Sequence, residues 1–91
     1  MLTLEKLRIY ERFNGDIDGW VRMKSSMPSS EMTDADWHLL DALITDLRIA
    51  ASGQASQSFR RELNERLQTE IADDEVRTEL HALARRITDR H

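Results

Sequence analysis

The longest apolar-periodic run in the chain, Thr33 to Gly53, reads TDADWHLLDALITDLRIAASG. Trp37, Leu40, Ile44, Leu47 and Ala51 recur at alternating spacings of three and four, which places them on one side of an α-helix. Leu39, Leu43 and Ala50 widen that side to an arc of roughly 160° at about 100° per residue. A stripe this broad needs more than one neighbour to cover it, so the run reads as the central helix of a small bundle. Thr33 supplies an N-cap, and Asp36 stands where the acidic partner of a capping box belongs. Asp34 and Asp36 complement the helix dipole, and Gly53 closes the helix.

Ninety-one residues make one helical domain, 1–91. The apolar fraction of 40% and charged fraction of 33% suit amphipathic helices with solvated outer faces. With no cysteine, disulfides, thiolate metal sites and thiol nucleophiles are excluded. The N-terminus, MLTLEKLRIYERF, is charged from Glu5 onward, and no apolar run reaches the length of a signal peptide or membrane span. The expectation is a soluble, cytoplasmic protein. The net charge of −4 is unevenly placed. Residues 25–58 carry one basic group, Arg48, against Glu31, Asp34, Asp36, Asp41 and Asp46. An acidic chain without a basic stripe lacks the counterion-release term of nucleic-acid binding.

Four further helices follow from the pattern. The first runs from Leu4 to Arg12, capped by Thr3, with Leu4, Leu7, Tyr10 and Phe13 on one side and a stop at Asn14-Gly15. The second runs from Ile17 to Lys24 behind Asp16, with Ile17, Trp20 and Val21 as its apolar edge and Gly19 weakening its interior. SSMPSSEM, residues 25–32, reads as a loop whose Met27 and Met32 are open as to burial. The fourth helix, Ser56 to Ala72, spaces Phe59, Leu63, Leu67 and Ile71 by four, a line that drifts around the helix and implies an angled crossing. The fifth starts at Asp73-Asp74, carries Val76, Leu80, Leu83 and Ile87, and ends among Arg85, Arg86 and Arg90. Short links make helices 3, 4 and 5 an antiparallel up-down-up meander, with the helix 1–2 pair packed across it.

Asn14-Gly15-Asp16-Ile17-Asp18-Gly19-Trp20-Val21 resembles the start of an EF-hand calcium loop. Asn14, Asp16 and Asp18 occupy ligand positions 1, 3 and 5, Gly19 the turn position and Val21 the apolar position 8. The match ends there: Ser25 stands in place of the bidentate glutamate, and Arg22 brings a cation to position 9. The weightier reading is a helix–helix corner in which Asn14-Gly15 ends one helix and Asp16 caps the next.

The acidic face of the central helix is the candidate site. Asp34 precedes His38 by four residues and Asp41 follows it by three, so both reach the imidazole. One helix supplies at most three ligands, and no second ligand-bearing motif accompanies them, so no metal or cofactor is expected. Asp34, His38, Asp41 and Asp46, with Glu31 nearby, read instead as a surface for a basic protein partner, where charge complementarity sets rate and specificity. His81 sits beside an apolar stripe between Arg77 and Arg85 as a boundary residue, and His91 is terminal. Trp20 and Trp37 read as core anchors first and interface anchors second.

No glycine-rich phosphate loop or nucleophile elbow is present, so the chain reads as non-catalytic. The leading expectation is a protein-interaction or regulatory module, its partner another protein or, through the broad apolar arc, a second copy. A helix-turn-helix through Gly53-Gln54-Ala55 is opposed by the next helix, where Glu62, Glu65 and Glu70 offset Arg60, Arg61 and Arg66. In size, acidity and helicity the chain is similar to the bacterial immunity proteins, inhibitors of nucleases and other toxins, without carrying a motif of that group.

Overall fold

The computed structural model describes residues 2–26 and 32–88. They form five α-helices, α1 (Leu4–Arg12), α2 (Ile17–Met23), α3 (Asp34–Ala51), α4 (Gln57–Glu70) and α5 (Asp74–Thr88), with a 3₁₀ turn, Lys24–Ser26, after α2. No strand occurs among the described residues. The helices make a small all-α bundle. α3 and α5 share the most extensive helix interface, α1 lies against both, and α4 packs on α3.

The ends of the elements are set by local chemistry. The Thr3 hydroxyl accepts from the Lys6 backbone, and the Ser56 hydroxyl from that of Phe59. Thr33 and Asp36 form the full capping box, each side chain accepting from the other's backbone N–H at 3.1 and 3.2 Å. α1 ends in a Schellman motif: the Gly15 N–H reaches the Tyr10 carbonyl and the Asn14 N–H that of Glu11. Asn14 and Gly15 both take positive φ there, 54° and 76°. α4 stops at Ile71, whose extended backbone turns the chain toward α5 and leaves its side chain buried.

Trp37, Leu40, Leu43, Leu80 and Leu83 are wholly buried, and Leu7, Trp20, Ile44, Leu63, Leu67, Ile71, Val76 and Ile87 complete the core around them. Met32 is buried in the same core, whereas Met27 and Glu31 lie outside the described residues, as do Arg90 and His91. Two expected core positions differ. Ala51 is exposed, because the last turn of α3 leads into solvent, where Ser52 and Gly53 are exposed too. Val21 is 46% exposed: it sits about 100° around α2 from Trp20, and seven residues anchored by one indole do not bury a second face.

Candidate functional site

Four aspartates lie along α3, and the fold gives each a different partner. Asp34, in the first turn, faces the Lys24 ammonium of the 3₁₀ turn at 3.8 Å, with both side chains largely in solvent. Asp36 meets Lys6 of α1 at 2.9 Å in a mostly buried ion pair. Burial alone would raise the Asp36 carboxyl, but hydrogen bonds from Lys6 and from the backbone and hydroxyl of Thr33 together outweigh it and hold the group below the usual carboxylate range. Asp41 accepts the hydroxyl proton of Tyr10, also from α1. Burial, then the adjoining Asp41 carboxylate, pushes the Tyr10 hydroxyl above its ordinary value, so it stays a donor. Asp46 pairs with Arg66 of α4 at 3.1 Å.

The carboxylates of α3 therefore tie the central helix to its neighbours. Asp34 and Asp41 turn to Lys24 and Tyr10, and His38 stands exposed between them. Among the described residues no group of three His, Asp or Glu side chains is arranged to hold a metal ion. The pairing of Lys6 and Tyr10 with α3 escaped sequence reasoning. The available signal was that Lys6 and Tyr10 are four apart and share one side of α1, as Leu7 shares it with Tyr10.

Outside these tied aspartates, α3 presents a ridge to solvent. His38, Ala42, Thr45 and Ile49 follow one another at spacings of four, three and four on the side away from the core. Ile49 exposes 42% of its surface there, a feature the sequence reading did not single out. Asp41 flanks this ridge on one side and Asp46 on the other. The ridge is carried by the helix whose opposite side forms the centre of the core, so its backbone is fixed.

The Asn14–Val21 segment is built as the helix–helix corner. Asp16 caps α2 by accepting the Asp18 N–H at 3.1 Å, and Gly19 lies within the helix where a calcium loop would place its turn. Arg60 and Arg61 of α4 are exposed, while Arg66 is held by Asp46. His81 lines a shallow groove of about 430 Å³ between α4 and α5, with Asn64, Gln68, Arg77 and Thr78. Partial burial, then the nearby Arg85, depresses the His81 imidazole. Arg77 in that groove is already engaged by Asp74 and by the Ile71 carbonyl. No helix among the described residues is long and apolar enough to cross a membrane. Comparisons with protein-family models, with curated proteins and with solved structures find no match to this chain.

Proposed function

We propose that the chain is a non-catalytic, cytoplasmic protein-interaction module whose contact face is the outer ridge of α3, and whose partner is another protein or a second copy of itself. His38 heads the ridge, Ile49 supplies an apolar anchor at its far end, and Asp34, Asp41 and Asp46 lend negative charge around it. The observation that carries the reading is the exposure of Ile49 at the far end of the ridge, on a helix whose opposite side forms the centre of the core. A preformed face of this kind loses little conformational entropy on docking, and its flanking carboxylates favour a partner that pairs basic with apolar side chains.

The test is capture from the native host with the wild-type chain and with Ile49→Arg and His38→Glu, followed by calorimetry on the purified partner. Sedimentation over a range of concentrations covers the self-association case. Loss of binding in the variants, with helicity unchanged, is the expected result. Identical capture and identical sedimentation for all three chains would remove the ridge as the contact face.

A further inference from the structure

We propose that α2 and the 3₁₀ turn after it form a releasable strap over Trp37, which opens while α1, α3, α4 and α5 remain packed. This rests on how the strap is held and is independent of the ridge described above.

The strap has one fully buried anchor, with Ile17 only partly buried against the core at its start. Trp20 stacks on Trp37 with ring centroids 5.1 Å apart and planes inclined by 19°. Beyond it, Val21, Arg22, Met23 and the whole 3₁₀ turn are exposed. A helix of seven residues with an internal glycine has little stability of its own and persists only through docking. The docking carries a penalty as well. The indole N–H groups of Trp20 and Trp37 are both buried and neither has a hydrogen-bond partner among the described residues. A buried donor left unpaired opposes the state that buries it, and lifting the strap gives both donors to water. The second hold is ionic. Lys24 lies 5.0 Å from the centre of the Trp20 ring and 3.8 Å from Asp34, with about half of its side chain in solvent, so salt screens it.

The rest of the bundle is joined without the strap. Lys6–Asp36 and Tyr10–Asp41 connect α1 directly to α3. Arg86 of α5 reaches Glu11 of α1 through two N–H groups, at 2.5 and 3.0 Å. The corner at Asn14 and Gly15, with both residues already in the left-handed region, is the pivot at the α1 end. Opening uncovers the face of Trp37, beside which the rings of Tyr10 and Phe13 lie 4.8 and 6.4 Å away.

Hydrogen exchange on the intact chain, followed through increasing urea, tests the proposal. The amides of residues 20–23 should exchange at least ~100-fold faster than those of residues 40–47, with a urea dependence that is measurable but shallower than theirs. Raising the salt concentration, or Lys24→Ala, should speed residues 20–23 by roughly 2–5-fold and leave residues 40–47 alone. Trp20→Ala should keep a cooperative thermal transition while Trp37 emission shifts to the red and becomes quenchable by acrylamide. A single urea dependence shared by α2 and α3, or a Trp20→Ala chain without cooperative structure, would overturn the strap.

Discussion

Lys6→Met is the sharpest test of how α1 is joined to α3. It removes an ammonium whose side chain is 11% exposed and which lies 2.9 Å from an Asp36 side chain only 12% exposed. Breaking one half of a buried ion pair leaves the other charge uncompensated and costs about 3–5 kcal/mol. Asp36 keeps the Thr33 backbone N–H, and methionine refills the space of the lysine stem, so the low end, about 3 kcal/mol, applies at neutral pH. In a domain of this size each 1 kcal/mol moves the thermal midpoint by about 4–8 °C, so the variant should melt some 12–24 °C lower. Lys6→Met/Asp36→Asn removes both charges and retains an acceptor for Thr33; it should recover more than half of the loss. The pH dependence follows from the depressed Asp36 carboxyl. Its contribution is fully present above the unfolded value near 3.9 and is lost as pH falls through the lower folded value. The gap between wild type and Lys6→Met should therefore hold at pH 7 and close below about pH 4. Urea and thermal denaturation followed by circular dichroism read all of these quantities. A Lys6→Met chain within about 0.5 kcal/mol of wild type, or a double variant no better than the single, would refute the buried-pair reasoning.

Tyr10→Phe removes a donor to a carboxylate that is itself only half-buried and can rehydrate, so urea unfolding should show a loss of about 1.5 kcal/mol, the low end for a bond to a charged group. Gly53→Ala meets only the left-handed backbone penalty of about 1–2 kcal/mol, since no atom lies within 4 Å of the added carbon. Gly15→Ala should cost more on the same assay, because its carbon would come within 3.1 Å of the Tyr10 hydroxyl oxygen. Asp46→Ala cuts a partly solvated surface pair with Arg66 and should change the stability read by urea unfolding by less than about 1 kcal/mol.

The elements and most of their starts were legible because they are written locally, although α4 stops at Glu70, short of the expected Ala72. Thr33 with Asp36, Ser56, Asp16 and the Asn14-Gly15 stop act through backbone groups within a turn of themselves, and the structure places each at the end it marks. The four-residue spacing of Leu63 and Leu67 likewise marks the buried side of α4. What was not legible depends on how helices meet. Ala51 continues the α3 stripe in sequence, yet is exposed because the helix end carries it into solvent. Val21 has the spacing of an apolar edge, but only the tertiary contact decides that Trp20 alone is inserted. The acidic residues show the same division. Their clustering on α3 was plain, but which of them turns to Lys6, Tyr10, Arg66 or Lys24 is fixed by helices distant in sequence.

The way α3 shares out its circumference bears on how much change it can absorb. One side is locked by close packing and the flanking aspartates are held to other helices, while His38, Ala42, Thr45 and Ile49 take no part in either. A substitution scan along the helix should therefore show tolerance rising and falling with the helical period, peaking at those four positions. The same four form a platform about 16 Å long at 1.5 Å per residue, onto which a foreign epitope could be grafted without disturbing the interior beneath it.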